Sequence, residues 1–235
     1  MTYNSFKIVE QLETEVARYT GAPIVIAVNS CTNALGICFE YLFNRYRNTH
    51  DDRMGMRAAM PRYTYIGVPM QAKRAGFEVD FTDDVWQGEY KIDISYFNQD
   101  RDKVNAEAIW DSARRFRGDM WYEDGHVHCG KRVIDGYRYK CVSFHATKIL
   151  GHTQGGAILT NDAELKQYAR EMRFDGRRFD VKDYQPRLLG RHDYMRPDTA
   201  AALLYKLQQL PAYPSDLKNS DYPDLSRMEI FQCAG

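Results

Sequence analysis

The sequence predicts an α/β domain, and three observations carry that prediction. Apolar residues recur at helical spacing in some stretches and as short strand-like runs in others, and the two patterns alternate along the chain. The chain has 235 residues, 44% of them hydrophobic, enough to bury a sizeable core in one domain with at most an appendage. The apolar run 24–28 passes at once into a polar turn and then a helical pattern, the order of a strand feeding a helix N-terminus.

Residues 6–19 carry Ile8, Val9, Leu12, Val16 and Ala17 at helical spacing, and Gly21 stops the helix. Ile24-Val25-Ile26-Ala27-Val28 reads as a buried strand of the parallel type. After the turn Asn29-Ser30-Cys31-Thr32-Asn33, residues 34–46 place Leu35, Ile37, Cys38, Tyr41, Leu42 and Tyr46 at helical spacing. Residues 51–60 are polar and Met-rich and read as a loop or a mobile helix. Beyond Pro61-Arg62-Tyr63-Thr64-Tyr65, a helix is expected from Pro69 to Gly76, then a short alternating strand over 77–81 that ends at Asp83 and Asp84. Residues 91–105 have weak strand character through Ile92, Ile94, Tyr96 and Phe97. Ala108-Ile109-Trp110 leads into Asp111-Ser112-Ala113-Arg114-Arg115-Phe116, and Lys140-Cys141-Val142-Ser143-Phe144 is a further short strand. Gly155-Gly156 opens a β-run, and residues 197–210 read as a helix. Residues 211–235, with Pro211, Pro214 and Pro223 in a polar stretch, read as a tail, leaving 1–210 as the domain proper.

Charge narrows the function classes. Lys+Arg and Asp+Glu both number 32, so the net charge is zero and nothing electrostatic favours a nucleic acid or an anionic membrane as partner. No apolar run approaches the roughly 18 residues of a membrane span, and the start of the chain has no signal-peptide core, so a cytoplasmic protein is expected. The five cysteines, Cys31, Cys38, Cys129, Cys141 and Cys233, are odd in number and lack CxxC spacing. They read as reduced thiols, with neither a disulfide framework nor a metal site expected.

Four separated pieces converge on one chemistry. Lys148 closes Ser143-Phe144-His145-Ala146-Thr147-Lys148 and is followed by the glycine pair, a setting that suits an amine capturing an aldehyde; a solvated loop lysine is the ordinary alternative. Ser30, Cys31 and Thr32 lie at the strand-to-helix junction, where unsatisfied N–H groups and the helix dipole favour phosphate, although simple N-capping explains the same residue types. Asp111 offers a carboxylate for a ring nitrogen, or a strand-end turn. Tyr65 offers a flat stacking face, or a core or interface aromatic. An anion cradle, an amine, a carboxylate and an aromatic face are what pyridoxal 5'-phosphate requires.

The order and local sequence of these pieces resemble the DegT/StrS group of pyridoxal-phosphate-dependent sugar aminotransferases. The similar stretches are 6–21, Asn29-Ser30-Cys31-Thr32-Asn33-Ala34-Leu35, Pro61-Arg62-Tyr63-Thr64-Tyr65, Asp111-Ser112-Ala113, the Lys148 motif with Gly155-Gly156, and 190–201. The resemblance implies the three-layer α/β/α large domain of PLP fold type I, with the C-terminal small domain largely missing. It implies that Lys148 bonds the cofactor, that Asp111 holds its pyridine nitrogen, that Ser143 with the Cys31/Thr32 turn holds its phosphate, and that Tyr65 stacks on its ring. The implied partners are an amino-acid donor, glutamate by expectation, a nucleotide-linked keto sugar as acceptor, and a second copy of the chain in a homodimer or larger assembly.

Three positions depart from that pattern. Arg114 stands where the family usually has Gln or His reaching the cofactor's phenolic oxygen, and His192 stands where an Asn usually reaches the phosphate in a neighbouring subunit. The span from Tyr65 to Asp111 is compressed, which predicts missing sheet strands. Two functions follow from the sequence: an aminotransferase, favoured by Lys148 with Asp111, and a non-catalytic dimerising relative, favoured by Arg114 and the short C-terminal part. Retention of Lys148 argues against the family's dehydratase branch, in which His replaces the lysine.

Overall fold

The computed structural model describes residues 4–47, 55–97, 103–123, 126–128, 131–133, 136–178 and 185–232. Residues 51–54 of the polar stretch, together with Cys129 and Cys233, lie outside these. In chain order the elements are helix α1 (Lys7–Thr20), strand β1 (Ile24–Val28), α2 (Cys31–Arg47), β2 (Arg57–Pro61), α3 (Gly67–Ala75), β3 (Glu78–Thr82), β4 (Tyr90–Phe97) and β5 (Lys103–Asp111). There follow β6 (His126–His128), β7 (Lys131–Val133), β8 (Tyr139–Ser143), β9 (Gly156–Thr160), α4 (Ala163–Met172) and α5 (Pro197–Leu207).

One mixed sheet of seven strands organises the chain, in the order β1-β9-β8-β5-β4-β2-β3, and β6 pairs with β7 in a separate ribbon. Strands β1, β8, β5, β2 and β3 run in one direction, while β9 and β4 run against their neighbours. The alternation of β1 divides the core. Ile26 and Val28 face a cluster built with Leu35 and Ile37 of α2, Ala72 of α3 and Leu165 of α4. Val25 and Ala27 face the opposite cluster, with Leu12 and Val16 of α1 and Leu203 of α5. Each face of the sheet is therefore covered by helices, the three layers expected of a buried mixed sheet.

Three expectations need correction. Strand β1, read as of the parallel type, lies at the sheet edge and pairs antiparallel with β9. Residues 57–61 are a strand, not a loop or helix, because Ala58 and Met60 alternate into the core at strand period. The compressed span has not lost its sheet position; β4 fills it in the reverse direction. Only residues 98–102 separate β4 from β5, and a parallel crossover needs a dozen residues or more, so the two strands can only pair antiparallel. Residues 211–232, read as a tail, lie against the domain. Leu225 and Phe231 are buried, the Phe231 ring lies 5.7 Å from that of Phe81, and Leu225 N–H donates to Arg62 O at 3.1 Å.

The sequence reading missed α4. Its start is capped by Asp162, whose carboxylate accepts from the N–H groups of Glu164 and Leu165 at 2.8 and 3.1 Å.

Candidate functional site

The five strands that share a direction end on one edge of the sheet, and β4 and β9, which run against them, begin there. Val28 of β1 leads to Ser30, Pro61 of β2 to Thr64 and Tyr65, β5 ends at Asp111 and β8 at Ser143, while β4 starts at Tyr90 and β9 at Gly156. In open α/β sheets the crevice outside the carboxyl ends of the strands is where ligands bind. Here it holds a cavity of about 450 Å³. Ser30, Cys31, Thr32, Tyr65, Asp111, Arg114, Ser143 and Lys148 all line it, so residues up to 118 positions apart share one site.

At the start of α2, Ser30 acts as an N-cap: its Oγ accepts from Asn33 N–H at 3.1 Å, and Ser30 O accepts from Ala34 N–H at 3.0 Å. The capping and anion-binding readings are compatible, because a hydroxyl that accepts through a lone pair still has a proton to donate. Gly156 makes the junction possible. A Cβ there would run into the Ser30 carbonyl carbon at 2.6 Å and into the Cys31 backbone, so only glycine lets β9 lie this close to the start of α2. Cys31 is the third side chain of the junction; burial, and after it the Asp111 carboxylate, push its thiol well above the ordinary range, so it stays neutral.

Asp111 is 5% exposed and held on both oxygens. Oδ1 accepts from Ala113 N–H at 2.9 Å and Oδ2 from the Tyr90 hydroxyl at 3.0 Å. Burial raises its proton affinity above the ordinary carboxylate value; the Ala113 N–H and Tyr90 bonds, then the charges of Lys148 and Arg114, pull it back. Lone pairs remain on its oxygens for a further donor. Tyr65, 52% exposed, stands at the mouth.

Arg114 lines the cavity, but its guanidinium is engaged with the segment that follows α5. Nη1 donates to Lys218 O, and Nη2 donates to Ser220 Oγ and, at 3.1 Å, to the Tyr222 hydroxyl. Arg115 binds Asp216 through Nη2 at 2.7 Å and reaches Glu89 through Nη1 at 2.8 Å. Glu89 in turn pairs with the fully buried Lys140 at 3.0 Å. Gly88, at φ 74°, leaves room for the Asp216 carboxylate, which a Cβ would meet. Residues 216–222 are thus strapped across the site, and Ser220 and Tyr222 become part of its wall.

His192 is placed elsewhere. Its imidazole faces Asp175, with Nδ1 3.2 Å from Oδ2, and its side chain is 68% exposed. The next residue, Asp193, turns inward instead, taking hydrogen bonds from Asn33 Nδ2 at 2.8 Å and Asn29 Nδ2 at 3.4 Å. Sequence reasoning missed Thr64, Trp86, Tyr90, Ser220 and Tyr222. Thr64 lies within Pro61-Arg62-Tyr63-Thr64-Tyr65; Trp86 and Tyr90 reach the site just before and at the start of the reversed strand, and Ser220 and Tyr222 through the strap.

The model of the DegT/DnrJ/EryC1/StrS aminotransferase family matches residues 2–106 and 123–216. No curated protein sequence matches the chain. Among solved structures, a DegT DnrJ EryC1 StrS aminotransferase from Brucella abortus aligns at 23% identity and TM-score 0.58, over 86% of this chain and 58% of that one. 3-Amino-5-hydroxybenzoic acid synthase aligns at 21% identity and TM-score 0.60, over 87% and 56%. Helicobacter pylori PseC, an aminotransferase involved in the biosynthesis of pseudoaminic acid, aligns at 15% identity and TM-score 0.59, over 90% and 64%. The chain spans less than two thirds of the length of each, and the fold it shares with them is the α/β/α large domain of PLP fold type I.

Proposed function

The chain belongs to the DegT/DnrJ/EryC1/StrS aminotransferase family, and from that premise we propose that it is a pyridoxal-phosphate-dependent aminotransferase moving an amino group from an amino acid, glutamate, to a nucleotide-linked keto sugar. The observation that carries this reading is the pairing of Lys148 with the buried, donor-held Asp111 in one cavity.

The residues present fit the cofactor. Ser30, Thr32 and Ser143 offer hydroxyl protons to a phosphate at the start of α2, where the dipole adds to the attraction. Asp111 would accept the ring N–H and keep the proton there. Tyr65 would cover a ring face. When bound, the cofactor supplies an aldehyde that takes up the amino group and a ring that draws electrons from the reacting carbon. Lys148 would hold the cofactor, and its amine would move the proton at the donor's α-carbon. Residues 216–222 restrict water at the wall they form.

A homodimer belongs to this reading. His192 is not among the residues that line its own cavity, so the phosphate contact expected of it would have to be made in a neighbouring copy. No helix among the described residues is long and apolar enough to cross a membrane, which accords with a cytoplasmic enzyme.

The alternative, a non-catalytic dimerising relative, draws on Arg114, whose Nη1 and Nη2 donate to the strap. Absorbance of the purified protein with pyridoxal phosphate separates the two. The aminotransferase develops a visible band that glutamate bleaches with release of 2-oxoglutarate; a band that glutamate leaves unchanged, with no keto acid formed, decides for the alternative.

A further inference from the structure

Tyr90 stands directly across the β4–β5 ladder from Asp111. It arrives there because β4 is reversed: an antiparallel strand begins at the edge where its neighbours end, so its first residue meets the last residue of β5. Its hydroxyl lies 3.0 Å from Asp111 Oδ2 and 2.6 Å from Thr64 Oγ1, and all three residues are buried. The Trp86 ring packs 4.7 Å from that of Tyr90.

The direction of this chain follows from proton counting. An ionised carboxylate only accepts, so Tyr90 commits its single proton to Asp111, and Thr64 must then donate to Tyr90. Both protons point toward Asp111. With the Ala113 N–H on the other oxygen, the plane of the carboxylate is fixed, and lone pairs remain for one further donor.

We propose that Tyr90 is a positioning residue for the cofactor's ring nitrogen: through the chain Thr64–Tyr90–Asp111 it holds the Asp111 carboxylate in one orientation, ready to accept the ring N–H. The proposal rests on the reading of the cavity as a pyridoxal phosphate site. The other titratable groups facing Asp111 are Cys31 from α2, Cys141 from β8, and Lys148 and Arg114 from the loops; Tyr90 is the side chain within hydrogen-bonding reach. Trading its hydroxyl for hydrogen removes a donor that favours the ionised form, so the proton affinity of Asp111 climbs further.

The test compares Tyr90→Phe, Thr64→Val and Asp111→Asn, singly and with Tyr90→Phe in the Asp111→Asn background. In the cofactor-free protein, the melting temperature of Tyr90→Phe should fall below wild type at neutral pH, and the gap should close in acid as Asp111 takes up its proton. A ring that matters only for packing gives a gap independent of pH. In spectroscopic titrations with pyridoxal phosphate, Tyr90→Phe should weaken binding about tenfold, as expected for a hydrogen bond to a charged group, but less than about twofold when Asp111 is already Asn. Equal losses in both backgrounds, or a pH-independent gap, overturn the proposal. Should Tyr90→Phe not fold, Thr64→Val, which keeps the ring, is held to the same two criteria with smaller losses. Wild-type protein that binds no pyridoxal phosphate overturns the cofactor reading and this role together, while the pH arm still reports whether Tyr90 and Asp111 are coupled.

Discussion

Arg114 and Tyr222 meet at the edge of the cavity: the guanidinium donates to the Tyr222 hydroxyl at 3.1 Å and lies 5.5 Å from the centre of its ring. With its bonds to Lys218 O and Ser220 Oγ, this arginine fastens the strap to the turn that follows Asp111. Arg114→Ala is therefore expected to cost about 1–3 kcal/mol of stability. It should also raise amide exchange over residues 216–225 more than anywhere else, as read by hydrogen-exchange mass spectrometry. A uniform rise across the sheet would mean that the arginine supports the domain rather than the strap.

Lys148→Ala should abolish covalent capture of pyridoxal phosphate. Borohydride treatment followed by peptide mass mapping should find the reduced adduct on Lys148 in the wild type and none in the variant. An adduct elsewhere, on the buried Lys140 for example, would move the proposed amine.

Gly156→Ala tests the close approach of β9 to α2. Since the new methyl meets the backbone at Ser30 and Cys31, the junction has to open, at a cost of about 1–3 kcal/mol as for other overpacked sites. Phosphate affinity should fall with it, whereas a swap at solvent-facing Glu164 should leave both unchanged. Denaturant unfolding and a pyridoxal phosphate titration measure the pair.

Lys140 and Glu89 form an ion pair that water does not reach. Removing one member leaves a buried charge, so Lys140→Met should destabilise by about 3–5 kcal/mol. Part of that loss should return in the double variant Lys140→Met/Glu89→Gln, which a double-mutant cycle in urea would read directly. Arg115, which also binds Glu89, limits the loss in the single variant.

Asp111 carries a pH signature of its own. Its folded proton affinity is raised, first by burial, so its contribution to stability is fully present below the ordinary carboxylate value and is lost as pH rises through the folded one. Cofactor-free Asp111→Asn should therefore melt above wild type at neutral pH, with the advantage shrinking in acid. Differential scanning calorimetry across pH 4–8 checks the sign.

How much of this was legible depended on the range of the signal. Local periodicity placed α1, β1 and α2, because Leu12, Val16, Ile26, Leu35 and Ile37 repeat at the spacing of the core they face. The cavity-lining residues at strand ends were legible too, since Asp111 and Ser143 sit where an apolar run stops. Strand β2 hid among charged and Met residues, although the alternation of Ala58 and Met60 was available, and α4 was announced by its Asp162 cap and by Leu165, Ala169 and Met172. The reversal of β4 could have been reasoned from the short span before β5. The strap could not: its hold depends on Arg114 meeting Lys218, Ser220 and Tyr222, and on Leu225 meeting Arg62, pairings set by distant parts of the chain.

The strap also sets an order of events. A ribosome releases the chain from its N-terminus, so the sheet, its helices and the Asp111 turn can condense while residues 216–222 are still unsynthesised. Until those residues emerge, the donors of Arg114 and the carbonyl of Trp86 that Asn219 later binds have only water to meet. The walls of the cavity are thus completed by the last of its residues to be translated.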